Sequence, residues 1–495
     1  VQRQLSAIGE VVGGSLARLD TLSGQSRPIG VGTPSGAHDW VFDRQGEPRV
    51  VRTTSGGRDK LHVRQGDTQD WRVVSDEPLF SDRAMEPSLL EGGEQVIVRT
   101  RAGTDTLGLY AYDTKKQRLD PEPLARTERF DIGATVVDGA LGRVVGARVT
   151  LDRPHTVWFS ERLVALQKAV DAALPGGRFN SISCGHCESS AFYVVVSRSD
   201  QQPAEFWVFD HARRQLTRIG QAPSTASMGP LGRRSFHWVK ARDGLDFPVV
   251  ITHPAGRGDK EALPAVVLVH GGPWLRGASR VWDAEAQFLA AQGWRVIQPD
   301  FRGSTGYGER LFRAGWKQWG QAMQDDLADA VRWAVAQSLV DARHVCIYGA
   351  SYGGYAALMG PIRDPDLYRC AASFAGVTDI SLMFTSGRAD FTRDSRLYVM
   401  PQLVGDPDRD SDMLKLSSPV ERVAGIRVPI LLAQGTLDRR VPREHANRFE
   451  AVARRAGVQV ERIDYNDAGH GFATPEQHGE FLNRLAAFLA RSLKR

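Results

Sequence analysis

From the start of the chain to about residue 228, apolar and polar positions alternate in short runs separated by polar turns, with little helical periodicity. One signal recurs. A strand-like run ends in a turn at Leu16–Asp20, Leu61–Gly66, Leu109–Asp113, Thr156–Ser160 and Phe206–Asp210. The turn residues at 20, 66, 113, 160 and 210 are spaced by 46, 47, 47 and 50. A period in the forties with several strands per repeat predicts β-propeller blades, the alternative being a β-sandwich with accidental spacing. Residues Glu161–Leu174 carry a helical pattern and read as an insertion between blades. A stretch of this length holds about 4–5 blades at ~47 residues each. The first recurrence comes only 20 residues in, which favours a chain that begins partway through a larger propeller over an unusually small one.

After residue 235 the pattern changes to strands alternating with amphipathic helices, the signature of an α/β domain with a mainly parallel sheet. Strands are predicted at 237–241, 248–252, 265–269, 295–299, 344–348, 370–374, 430–433 and 459–464. Helices are predicted at 283–291, 324–337, 352–362, 443–455 and 475–494. In residues 325–336 two acids open the first turn, where the helix dipole favours them, and Leu327, Val331 and Val335 form one apolar stripe. The expected organisation is therefore a propeller over residues 1–228 and an α/β domain over 229–495.

Composition narrows the function class. Of 495 residues 42% are hydrophobic and 24% charged, and 63 basic against 58 acidic side chains leave a net charge of only +5. The charges are scattered, so neither a nucleic-acid footprint nor a basic membrane patch is indicated. The longest apolar runs, such as Ala265–Val269, fall far short of the ~20 residues that span a bilayer. Cys346 and Cys370 lie in apolar stretches and read as packed thiols. Cys184-Gly185-His186-Cys187 has redox-motif spacing, but its surroundings read as a turn between strands, which favours a local disulfide or two inert thiols. The first residue is Val rather than Met, and the expectation is that processing or truncation has removed sequence upstream. The compartment is left open.

The chemistry lies in the second half. Gly349-Ala350-Ser351-Tyr352-Gly353 follows an apolar strand and precedes a helix rich in Ala and Leu, the context of a nucleophile elbow. A serine hydroxyl needs a base to take its proton, and the base needs a partner to fix its tautomer. In this architecture the chain order is Ser, then acid, then His. The strand ending at Ala433 leads to Asp438, 87 residues after the serine, and the strand ending at Asp464 leads to His470, 32 residues further on. Asp464 and Asp467 are rival acids, and His445 and His478 are rival bases expected to face solvent from helices. Attack on a carbonyl also needs oxyanion donors: one should be the N–H of Tyr352, and the second should come from the loop His270-Gly271-Gly272-Pro273-Trp274, whose successive glycines let backbone N–H groups approach the oxygen.

These stretches, with Asp300-Phe301-Arg302-Gly303-Ser304-Thr305-Gly306-Tyr307-Gly308, Asp325-Asp326 and Asp438-Arg439-Arg440-Val441-Pro442, resemble the prolyl oligopeptidase family of serine peptidases. The likeness is to its acylaminoacyl-peptidase and bacterial dipeptidyl-peptidase-like branches, and it spans most of residues 240–475. It implies an N-terminal propeller and an α/β-hydrolase domain that cleave short peptides between them. By that resemblance Ser351 is the nucleophile, His470 the base, Asp438 its orienter, and the Gly272 and Tyr352 amides the oxyanion hole. No metal or organic cofactor is implied. A specificity pocket from Tyr352, Val377, Ile380, Met383 and Val441 would favour a hydrophobic residue or proline before the scissile bond, with Trp274 and Trp316 as further lining. Gln434 stands where relatives often have His. No adjacent Glu-Glu pair precedes residue 240, which argues against the amino-terminal clamp of dipeptidyl peptidases. The expected partners are short peptides, with no nucleic acid or membrane. A homo-oligomer is in keeping with the resemblance, since members often form dimers or rings. An esterase or thioesterase on the same scaffold, and a propeller binding protein with a vestigial hydrolase half, are the competing readings.

Overall fold

The computed structural model describes residues 2–5, 11–30, 32–64, 70–222, 229–258, 260–385 and 391–494. Its first part is a propeller-like succession of antiparallel sheets, each a meander of neighbouring strands. Among the described residues there are five, built from strands within Gln2–Ile29, Ala37–Pro78, Glu86–Leu119, Ile132–Trp158 and Phe179–Gln221. Consecutive sheets share apolar cores, as blades must when neither face of a sheet is left to water. Val41, Val50 and Leu61 of one sheet pack with Val96, Val98 and Tyr110 of the next, and Ile97 and Leu109 pack with Ile132 and Val149 of the one after. The recurring turn at Gly66 and the boundary expected near residue 228 lie outside the described residues.

The insertion predicted after residue 160 is the helix Glu161–Ala173, capped by Ser160 Oγ, which accepts from Leu163 N at 3.3 Å. Its apolar stripe Leu163, Leu166 and Val170 closes over Tyr193, Val195 and Phe209. The adjacent loop carries the Cys184–Cys187 disulfide, one of the two outcomes read from its spacing.

From Arg234 onward the chain builds an eight-stranded sheet in the order 234–240, 246–252, 295–299, 263–269, 340–350, 370–374, 430–435 and 460–465. The strands from 295–299 to 460–465 pair in parallel, and the first two are antiparallel. Because successive side chains point to opposite faces, each buried strand feeds two cores. Ala265, Val267, Val345 and Ile347 face the helices Ala322–Ala336, Tyr352–Arg363 and Glu444–Arg455, whereas Val266, Leu268, Cys346 and Tyr348 face Ala284–Ala291 and Pro475–Ser492. One expectation is corrected here. Cys346 and Cys370 are not packed thiols but a disulfide, because parallel register sets them side by side on adjacent strands.

Candidate active site

The Val340–Ala350 strand runs out of the sheet into Ser351, which caps the helix Tyr352–Arg363. Ser351 has φ 59° and ψ −121°, a conformation that costs about 1–3 kcal/mol and persists only where its surroundings enforce it. They do so through Ser351 N, which donates to Phe374 O at 2.9 Å, and through the flanking glycines. A Cβ at Gly353 would stand 2.1 Å from Val269 O, and one at Gly349 2.5 Å from the same atom. Nothing larger than hydrogen fits where the elbow crosses the neighbouring strand.

The loops after the strands Ile430–Gly435 and Val460–Tyr465 bring the other two groups to this turn. His470 Nε2 lies 3.0 Å from Ser351 Oγ, and His470 Nδ1 lies 2.7 Å from Asp438 Oδ2. Asp438 is 6% exposed and its carboxylate is held on both sides. Oδ1 accepts from Arg440 N at 2.9 Å and Val441 N at 3.0 Å, while Oδ2 also accepts from Gln434 Nε2 at 3.3 Å. The rival acid Asp464 is turned to Arg443 and Arg462. The rival base His478 is exposed and stacks on Phe472. His445, expected to face solvent, is instead buried at 1% exposure. Its Nδ1 accepts from the backbone of Thr378 and Asp379 at 3.3 and 3.4 Å, and burial holds its pKa down to about 4. Its helix turns that side toward the sheet, and helical spacing alone did not reveal which face was covered.

The glycine loop 270–274 lies against the elbow, with Gly271 so close that a Cβ there would be 3.4 Å from Ser351 Cβ. Gly272, at φ 113°, precedes a cis peptide to Pro273. Tyr352 is the first residue of its helix, so its N–H has no acceptor one turn back within it. His270 braces the loop from behind. Burial lowers its pKa, its ring stacks on Phe301 at 4.5 Å, and its nitrogens bond Gly271 O at 2.7 Å and Ser304 Oγ at 3.0 Å.

The 300–308 motif acquires a physical role from these contacts. Asp300 Oδ1 accepts from Gly277 N at 2.7 Å and Ala278 N at 3.2 Å, and its other oxygen takes the Tyr307 hydroxyl. Buried Arg302 forks onto buried Asp326 at 2.9 and 2.7 Å, tying the loop to the helix Ala322–Ala336. Gly306 and Arg276 fasten the same region to the propeller-like part. Gly306 N donates to Asp131 Oδ2 at 3.1 Å, and Arg276 lies 4.4 Å over the Tyr307 ring and donates to the carbonyls of Thr150 and Leu151.

The expected specificity residues sit on one side of Ser351. Val377, Ile380 and Val441 belong to the same buried cluster as Tyr352, at 3%, 0% and 3% exposure, and Met383 packs against it half-buried. Trp274 and Trp316 pack on that cluster too, Trp274 facing Trp319 at 6.3 Å and Trp316 facing Phe80 of the propeller-like part at 5.3 Å. Sequence reasoning gave Gln434 little weight. Yet it is fully buried, and its amide joins Asp438 Oδ2 to Val441 O at 3.0 Å. The only hint in the sequence was a polar residue ending an apolar strand, four positions before the acid.

On the opposite side of the elbow is a cavity of about 190 Å³ lined by Leu268, His270, Ala350, Asp283, Glu285 and Gln298, among others. Among the described residues no group of three or more His, Cys, Asp or Glu side chains is placed to hold a metal ion.

Residues 280–495 match the prolyl oligopeptidase family. The chain is 29% identical over 433 residues to dipeptidyl aminopeptidase BIII of Pseudoxanthomonas mexicana, covering 86% of this chain and 62% of that protein. It is 26% identical over 247 residues to the acylamino-acid-releasing enzyme of Homo sapiens, which is 49% of this chain and 33% of that one. The chain thus spans less than two thirds of the length of these curated relatives. Among solved structures it resembles puromycin hydrolase with a TM-score of 0.73 at 20% identity, over 95% of this chain and 72% of that one. It also resembles dipeptidyl peptidase 4 of Porphyromonas gingivalis with a TM-score of 0.71 at 17% identity, over 97% and 67%. At such identities the shared property is the fold.

Proposed function

We propose that the chain, whose residues 280–495 match the prolyl oligopeptidase family, is a serine peptidase acting on short peptides through an acyl-enzyme on Ser351. The observation that carries this reading is the unbroken line Ser351 Oγ, His470, Asp438, with both hydrogen bonds at 3.0 Å or less. His470 Nε2 takes the hydroxyl proton as Oγ attacks the scissile carbonyl, and Asp438 holds the imidazole with its other proton on Nδ1. The N–H groups of Tyr352 and Gly272 take the charge that develops on the carbonyl oxygen, each worth roughly 2.7–4 kcal/mol of barrier. His470 then gives its proton to the leaving amine, and a water repeats the sequence to free the acyl fragment and restore the serine.

The apolar cluster around Tyr352, Val377, Ile380 and Val441 supports a hydrophobic or proline residue on the acyl side. Digestion of a mixed peptide library, read by mass spectrometry beside a Ser351→Ala control, tests the reading. Cleavage after apolar residues that disappears in the control supports it. Intact peptides together with rapid hydrolysis of matched esters would replace it with an esterase.

A further inference from the structure

The two faces of the sheet divide the space around Ser351. Tyr352 and its apolar neighbours lie on the face that packs Ala322–Ala336 and Glu444–Arg455. Ala350, and Phe472 of the loop that delivers His470, pack on the other face, against Pro475–Ser492. His470 must reach both the serine oxygen and the leaving nitrogen, so the leaving fragment departs on the side from which the imidazole approaches. On that face, beginning at Ala350 and Gly271 beside the nucleophile, lies the cavity of about 190 Å³. Cavities near 150 Å³ hold a benzene ring, so this one takes a full side chain.

Its chemistry is acidic. Asp283 is already engaged: Oδ1 caps the helix Ala284–Ala291 by accepting from Ala286 N at 3.0 Å, and Oδ2 accepts from Gln298 Nε2 at 2.9 Å and lies 3.7 Å from the Arg234 guanidinium. Glu285 accepts from the Tyr348 hydroxyl at 2.6 Å, and among the described residues no basic side chain pairs with it. His270, on the opposite wall, is held neutral by burial. Removing Glu285 from water without a cation raises its pKa to about 7, the mark of a carboxylate short of a positive partner.

We propose that this cavity is the leaving-group subsite, and that Glu285 selects peptides with a basic residue immediately after the scissile bond. The proposal rests on the serine-peptidase reading and adds to it the chemistry of the released fragment. The ammonium of a lysine entering past Ala350 meets a carboxylate largely removed from water, where a charge-assisted hydrogen bond is worth about tenfold in kcat/KM.

The test uses a series of quenched fluorescent peptides with one acyl half and Lys, norleucine, Gly or Glu as the first leaving residue, alongside an anilide of the same acyl half. The expected order is Lys about tenfold above norleucine, with Glu below both. In Glu285→Gln, which keeps an acceptor for the Tyr348 hydroxyl, the ratio of Lys to norleucine falls to within about twofold. Ala350→Leu narrows the cavity and lowers the rates for Lys and norleucine relative to Gly. A wild-type ratio within twofold, or a tenfold ratio that survives in Glu285→Gln, overturns the subsite. If the anilide is cleaved while the leaving-residue profile is flat, the subsite alone fails. If neither anilide nor peptides are cleaved and Ser351 takes no fluorophosphonate label, the peptidase reading fails and this proposal with it.

Discussion

Asp438→Asn is the sharpest test of the proposed mechanism, because the surrounding donors dictate how the new amide must sit. Oδ1 faces two backbone N–H groups, those of Arg440 and Val441, at 2.9 and 3.0 Å. Only an oxygen can occupy that position. The asparagine NH₂ is therefore forced into the place of Oδ2, facing His470 Nδ1, which lies at 2.7 Å in the native protein. An NH₂ there requires Nδ1 to accept, so the imidazole proton moves to Nε2 and points at Ser351 Oγ. The base then has no free lone pair for the serine proton. The geometry barely changes, yet the wrong tautomer lowers kcat/KM roughly ten-thousand-fold, about 5.4 kcal/mol of barrier. Steady-state hydrolysis of an apolar acyl anilide measures the loss, and urea denaturation checks that the fold survives, since both backbone bonds are kept. A loss under about tenfold in a folded variant would show that Asp438 does not set the tautomer, and the proposed roles would have to be reassigned.

Gln434→Leu removes the amide's hydrogen bonds to Asp438 Oδ2, Val441 O and Gly435 O at 3.3, 3.0 and 3.2 Å, and with them a buried side-chain oxygen, Oε1, that has no partner among the described residues. The opposing effects leave urea stability within about 1 kcal/mol while kcat/KM falls about tenfold, and a stability loss beyond 3 kcal/mol would assign the residue to packing instead. His445 stays neutral in the fold, with a pKa near 4 against an ordinary 6.5. Its contribution is present above pH 6.5 and is lost as pH falls toward 4, because only the unfolded chain takes up the proton. At pH 5 the difference is about 2 kcal/mol, so denaturant titrations of His445→Gln should show that much less loss between pH 7 and 5 than the wild type. Thiol titration in denaturant should find no free cysteine before reduction and four after it. Replacing Cys346 and Cys370 by a Ser–Ala pair should cost about 3 kcal/mol, and a loss of under 1 kcal/mol would mean that the bridge restrains little of the unfolded chain.

How much of this was legible depends on how local each feature is. The elbow, Asp438 and His470 are each announced by a strand that runs into a polar or glycine-rich loop. Because parallel strands end on the same edge of a sheet, three separate sequence signals converge without knowledge of the loops between them. The blade period was legible for the same reason, each repeat being a short meander written in consecutive residues. By contrast, the buried face of the Glu444–Arg455 helix was not legible: with a charged residue at nearly every turn, nothing in the string distinguishes His445 from a solvent-facing neighbour. Nor was the partner of Cys346, which follows from the register of strands 24 residues apart. Glu285 reads as an ordinary acid in a first helical turn, and only packing against Tyr348 encloses it.

By itself, then, the order of residues determined where the chain turns, which segments pair as strands or coil as helices, and which side chains are the candidates for nucleophile, base and acid. These are properties of neighbours along the backbone, fixed by steric limits, periodicity and the needs of one reaction. Tertiary structure alone decided what surrounds those groups: the amide of Gln434 beside Asp438, the Arg302–Asp326 brace of the 300–308 loop, and the acidic cavity behind Ala350. Such features arise where distant segments shut out water, and the energy of a charge or hydrogen bond is set by that enclosure rather than by sequence position.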